Sequence, residues 1–252
     1  MLAGSGMGAR LMDRIGRAGG PAARQRVTPV SAGQAAQADH AGRAISIRTA
    51  ARCAYGAGIG GIVVSLLFTG FYTLEIRHPG HAPLGTASDV AGVTIGLLIP
   101  AALALNAFLP ARRSTRVIQA AGIAAMATDA VAGPLMVAGL LDFNVETPIS
   151  AVSILLIFGW VTLVSRMLAG TGTFRPRVTR FGQLLGRAAL VALVLIAVGL
   201  PLPWMSLPQL ILAGAGAGIG AIAWLILPAW YLFLGQDLAR AALRPQAALP
   251  PG

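Results

Sequence analysis

The amino-acid sequence predicts an all-α integral membrane protein, a bundle of six transmembrane helices with both termini in the cytoplasm. Three observations carry this reading. The 252 residues are 56% hydrophobic and only 11% charged, whereas a soluble domain is about 45–50% apolar and about 25% charged. The apolar residues gather into six stretches, each near the roughly 20 residues needed to cross about 30 Å of hydrocarbon. The arginines fall in alternate connections between those stretches, which is the pattern of a positive-inside orientation.

Residues 1–45 hold no apolar run and carry Arg10, Arg14, Arg17, Arg24, Arg26 and Arg43. They read as a flexible basic cytoplasmic tail. A secretory signal needs an apolar core of about 7–15 residues near the start, and this segment has none. Initiation at Met7 or Met12 and an Arg-rich targeting peptide are the alternatives for this stretch. The transmembrane domain is expected over residues 46–236, with spans at about 54–73, 87–109, 117–140, 148–168, 184–202 and 208–234. Pro100 and Pro228 are expected to kink the second and sixth spans. Residues 237–252 read as a short cytoplasmic tail.

Arginine sets the orientation. The tail up to Arg52, the connection with Arg112, Arg113 and Arg116, the region Arg166–Arg187 and the closing tail with Arg240 and Arg244 hold eighteen of the 19 basic residues. All of those connections lie on one side of a six-span chain. Arg77 alone lies on the other, beside Glu75, Asp89, Asp142 and Glu146. The basic residues are all Arg, with no Lys, and with 32 Gly this points to a GC-rich bacterial genome. The expected location is the cell membrane, multi-pass. The expected partners are the bilayer, anionic lipid head groups near Arg112, Arg113, Arg175, Arg177 and Arg180, and a second copy or another membrane protein. Nucleic acid is not expected, because the charge sits where orientation signals belong.

The first candidate site is Asp129, in Ala-Met-Ala-Thr-Asp-Ala-Val-Ala-Gly-Pro of the third span. A carboxylate at mid-depth costs roughly 2.5–3.5 kcal/mol to insert and marks a proton or ion site by default. Pro134 has no N–H and leaves the Ala130 carbonyl without its helical partner. With Thr128 beside them, these groups form a candidate proton or cation site, of the kind transporters build at interrupted helices. The competing reading makes Asp129 interhelical glue, hydrogen-bonded to Ser65, Thr94, Ser153 or Thr162.

The second candidate is Glu75, His78 and His81, in Glu-Ile-Arg-His-Pro-Gly-His-Ala-Pro after the first span. Imidazole and carboxylate suit zinc and related metals. Pro79, Gly80 and Pro83 make the segment rich in turns, and an ordinary solvated loop is the stronger reading. Glycines at four-residue spacing, Gly56 with Gly60, Gly214 with Gly218 and Gly216 with Gly220, let helix backbones approach closely. They are read as packing faces, with the first and sixth spans as partners. Trp204, Trp230, Tyr231 and Phe233 read as interfacial aromatic belts.

Much chemistry is missing. The single Cys53 excludes a CxxC pair and an intramolecular disulfide. No span holds a His, an HExxH motif or a GxSxG elbow. A P-loop lacks its lysine. No cofactor is expected, and an enzyme is the less favoured class. In layout, with Pro-Ala-Trp-Tyr-Leu-Phe-Leu-Gly closing the last span before a basic tail, the chain is similar to small six-helix membrane proteins of GC-rich bacteria. That resemblance brings no activity and no functional residue with it. The leading functional expectation is a structural or accessory component of the cell envelope. The alternative is a small carrier or channel for a proton-coupled solute or cation at Asp129. A membrane enzyme using the outer His and carboxylates is the weaker third.

Overall fold

The computed structural model describes residues 32–75 and 83–243, with side chains from Ser46 onward. The chain divides into two units, residues 1–40 and residues 41–252. Of the first, the backbone of residues 32–40 is described, and it is helical. The second holds everything that follows.

The described chain is helical, with no strand among the described residues. Helix α1 (Ala32–Gly70) runs on through a π-helical turn, Phe71–Glu75. Helix α2 (Pro83–Ala91), a 3₁₀ segment (Gly92–Leu97) and helix α3 (Leu98–Leu105) follow one another without a loop. Helices α4 (Arg113–Val137), α5 (Phe143–Ala169), α6 (Pro176–Gly199) and α7 (Leu207–Ala241) complete the described chain. Among the described residues, six helical segments are long and apolar enough to cross a membrane: Ser46–Glu75, Pro83–Leu105, Arg113–Val137, Phe143–Ala169, Pro176–Gly199 and Leu207–Ala241.

The helices outrun the apolar stretches at the arginine-bearing ends. Helix α1 begins at Ala32, inside the segment read as a tail, because the Ala-rich run through residue 45 favours helix. Helix α7 continues past residue 234 to Ala241. Hydropathy marks where a helix meets hydrocarbon, and hydrogen bonding carries it further into the interface.

Local chemistry sets the other ends. Helix α4 closes in a Schellman turn at Gly139, whose φ of +72° suits a residue without Cβ. There Leu140 N–H donates to the Leu135 carbonyl at 2.9 Å, and Gly139 N–H to that of Met136 at 2.9 Å. Pro176 opens α6, where its missing N–H is harmless. Ser206 caps α7 by accepting from Gln209 N–H at 3.4 Å.

The second span differs most from expectation. It is interrupted by the 3₁₀ turns Gly92–Leu97 rather than simply kinked. Pro100 has no N–H for the Gly96 carbonyl, and its ring crowds that carbonyl. The turn before it therefore tightens to shorter hydrogen bonds, helped by the low helix propensity of Gly92 and Gly96.

Contacts between neighbouring helices set the ends of the bundle. Thr115 at the start of α4 meets Met167 at the end of α5 at 3.6 Å. Phe108 meets Phe174 edge-on, with centroids 5.3 Å apart. Asp237 at the end of α7 meets Arg175 at the start of α6. This end carries the described arginines. At the other end Asp89 lies against Gly133, and Glu75 against Leu84.

The core is aromatic. Trp160 and Trp230 are both fully buried and meet edge-to-face, with centroids 5.8 Å apart. The Trp160 indole N–H donates to Gln119 at 2.6 Å. Gln119 in turn donates to the Ala102 carbonyl at 2.9 Å. Trp230 donates to the Val178 carbonyl at 3.0 Å. Gly122 faces Trp160, and Gly182 faces Ser165 and Trp230, so a side chain at either position would overlap them. Large apolar side chains such as Leu66, Val117, Leu190 and Ile222 point outward and are exposed, as a lipid-facing surface requires. Trp230 and Tyr231 are buried inside the protein, not placed in a belt, because α7 runs on beyond them to Ala241. Trp204, 84% exposed, is placed as an interfacial residue would be.

Candidate functional site

The first and sixth spans, the 3₁₀ turns of the second and Asp129 of the third line a half-open cavity of about 60 Å³. A water needs roughly 10–15 Å³ measured this way, so the space holds several waters or a small solute. Ser65, Thr94, Asp129, Trp224 and Tyr231 are on its wall, with Gly61 and Pro228.

The wall follows from sequence. Gly61 lies against the Pro228 ring, where a Cβ would collide with it. Gly60 lies as closely against Thr94. Pro228 sits inside α7 and leaves the Trp224 carbonyl without its helical donor. The sixth span, disturbed at Pro228, and the 3₁₀ break of the second therefore border the same space.

Tyr231 supplies the least ordinary group. The residue is 3% exposed, and its hydroxyl has no hydrogen-bond partner. A buried hydroxyl left unpaired costs about 1–3 kcal/mol. Tyr231 lines the cavity together with Asp129. A polar occupant between them would satisfy both. The sequence reading missed Tyr231 because an aromatic near a span end resembles a belt residue. Its signal was the position one turn beyond Pro228 on the same helix.

Asp129 itself is half-buried. It lies eight residues from the end of α4 at Val137, about 12 Å at 1.5 Å per residue. It is about 6 Å from the middle of its helix, displaced toward the acidic end. On the neighbouring α5, Glu146 and Ser150 stand one turn apart. Ser150 Oγ donates to Glu146 Oε1 at 2.6 Å. Thr128 is exposed and absent from the cavity wall, because the next residue on a helix points about 100° away. Pro134 stands one turn beyond the cavity, just after Gly133, which lies against the Asp89 carbonyl.

Of the second candidate set, His78 and His81 lie outside the described residues. The Glu75 carboxylate accepts from Leu84 N–H at 3.0 Å and from Gly85 N–H at 3.3 Å. It thereby caps the first turn of α2, an ordinary role for a carboxylate at a helix N-terminus. No group of three His, Cys, Asp or Glu residues is arranged to hold a metal ion among the described residues.

The glycines divide by face. Gly56 and Gly60 meet Leu97 and Thr94 of the second span, while Gly58 and Gly61 meet the sixth. Gly216 meets Ala192 and Ile196 of α6, and Gly220 approaches Ala192. Gly214 and Gly218 have nothing within 4 Å. They lie on the opposite side of α7, so these two are corrected from internal packing to open surface. The five arginines expected at lipid heads, Arg112, Arg113, Arg175, Arg177 and Arg180, are all exposed. Arg177 also lies over the Phe233 ring, 5.8 Å from its centroid.

Asp237 was unforeseen. It is buried, and its carboxylate accepts from Arg175 N–H at 2.7 Å and from Arg240 at 2.9 Å. It ties the start of α6 to the end of α7. No family profile, no curated protein and no solved structure matches the chain.

Proposed function

We propose that this protein is a small carrier in a bacterial cell membrane, moving a proton-coupled solute or a cation through the cavity at Asp129. The observation that supports it is an intramembrane carboxyl and an unpartnered, buried phenol on the wall of one cavity. Such residues are costly to keep in a bilayer, and helix packing alone leaves the Tyr231 hydroxyl unused. The arginine-bearing end and both termini are on the cytoplasmic side in this reading. The acidic end then faces outward.

Vesicles reconstituted with purified protein test it. A trapped pH-sensitive dye is followed after imposing gradients of sodium, potassium or ammonium. One of these gradients is expected to drive a proton flux that Asp129→Asn abolishes. Equal fluxes with wild type, Asp129→Asn and protein-free vesicles would refute the carrier.

A structural or accessory role is the second reading, favoured by Gly214 and Gly218 on the open face of α7. Small residues at this spacing admit a second helix closely. Gly218→Leu would then abolish a cross-linked dimer or heteromer in native membranes and leave the vesicle assay unchanged.

A further inference from the structure

We propose that the cavity takes the amino head of a lipid-soluble amine, which enters sideways from the hydrocarbon as the free base. This rests on the carrier reading and names the solute class of that same site.

Depth sets the entrance. Every wall residue stands at least eight residues from either end of its span, about 12 Å at 1.5 Å per residue. The cavity is half-open, and its wall reaches neither end of the bundle. With the bundle set in a bilayer, the open side therefore faces acyl chains and not water. Gly92 stands at the open side. It lines the cavity and is partly exposed, and a Cβ there would meet nothing within 4 Å. Val93 beside it is exposed, as on a lipid-facing surface. A solute using this entrance must dissolve in hydrocarbon, where charge is costly, so it arrives neutral.

The wall sets the head group. Asp129 supplies a carboxyl, and neither Arg nor His lines the cavity among the described residues. A fatty acid would find no cation to pair with, and an alcohol would gain a neutral hydrogen bond only. An amine gains a charge-assisted pair with Asp129, the stronger kind. The buried Tyr231 phenol makes no hydrogen bond within the protein, so its acceptor capacity is left for an ammonium N–H. Trp224 and Tyr231 also put two aromatic rings on the wall, and such rings attract ammonium groups. A volume of about 60 Å³ admits a head of a few heavy atoms. A longer tail lies through the opening, among the lipid chains.

The proton step balances. The amine lone pair takes the proton of the neutral Asp129 carboxyl. An N–H bond forms and the carboxyl O–H bond breaks, leaving an ammonium–carboxylate pair with no change in net charge. When the ammonium leaves to water, water supplies the next proton to Asp129.

The test compares heads on one tail. Purified protein in lipid discs is melted with octylamine, octanol or octanoate, and with tetramethylammonium, which has no free base. A ligand of the folded state raises the melting temperature. Octylamine is expected to raise it by several degrees and to saturate, and the other three are expected to leave it unchanged. Asp129→Asn should lose the octylamine shift. Gly92→Leu, whose side chain has open space to enter, should melt as the wild type does without amine and also lose the shift. An equal shift with octanol would overturn the amine class. An equal shift with tetramethylammonium would overturn entry from lipid. A full octylamine shift in Gly92→Leu or in Asp129→Asn would overturn the site. The carrier reading fails separately. Of the gradients in the vesicle assay, ammonium is the one expected to drive flux, since it is the same head without a tail. An octylamine shift without Asp129-dependent flux would refute the carrier alone. Flux driven by sodium or potassium, with no octylamine shift, would refute the amine and keep the carrier.

Discussion

The Trp160 indole N–H donates to Gln119 Oε1 at 2.6 Å, while Gly122, one turn along from Gln119, faces the same indole ring. Polar handle and flat face are thus both held by α4. Gln119 also donates to the Ala102 carbonyl, so one amide links the second, third and fourth spans. Gln119→Leu would leave the buried indole N–H unpaired, at about 1–3 kcal/mol. Gly122→Ala would force the ring aside, an overpacking cost of about 1–3 kcal/mol. Unfolding in mixed detergent measures both, and a loss below about 0.5 kcal/mol for either, within the range of a neutral surface change, would contradict this packing.

Tyr231→Phe separates use from stability. The hydroxyl has no partner within the protein, so its removal costs no internal hydrogen bond. Stability is expected to hold or rise by up to about 1 kcal/mol, as is common where a residue is kept for function. The vesicle flux is expected to fall sharply. A clear destabilisation would show that the hydroxyl serves the fold.

Asp237→Ala removes the acceptor for Arg175 N–H and the partner of Arg240. The loss of a helix cap costs about 0.5–2 kcal/mol. Asp237→Asn keeps an acceptor oxygen and should cost less. Unfolding curves of the two variants should rank in that order, with α6 first to exchange amide hydrogens in Asp237→Ala.

Orientation has its own test. A reporter fused after Gly252 should be active on the cytoplasmic side. Replacing Arg112, Arg113 and Arg116 together by Gln should weaken the bias at one connection and give a mixed population, because orientation follows the Lys and Arg count near span ends. Asp129→Asn should leave orientation untouched. A periplasmic reporter in the wild type would reverse the assignment of sides.

The six helices long and apolar enough to cross a membrane were legible because hydrocarbon imposes a length and a polarity that a sequence must obey. Asp129 was legible for the same reason, since a carboxyl amid apolar residues is conspicuous. The break at Gly92–Leu97 was half-legible: Pro100 announced a disturbance, and the exchange of α for 3₁₀ turns was decided by crowding one turn earlier. Tyr231, Gln119 and Asp237 were not legible. Each owes its place to a helix distant in sequence, as with Asp237 and Arg175, 62 residues apart. Composition and spacing carry no record of which faces of two spans will meet.

The Asp237 tie has a consequence for biosynthesis. Translation runs from the N-terminus, so α6 is synthesised before its partner carboxylate exists. Until residue 237 emerges, the Arg175 N–H at the start of α6 lacks the acceptor it has in the folded protein. The arrival of the end of α7 fixes both helices at once. The order of translation thereby makes this contact a late lock on the fifth and sixth spans, and a ribosome pause before Asp237 would leave that hairpin open.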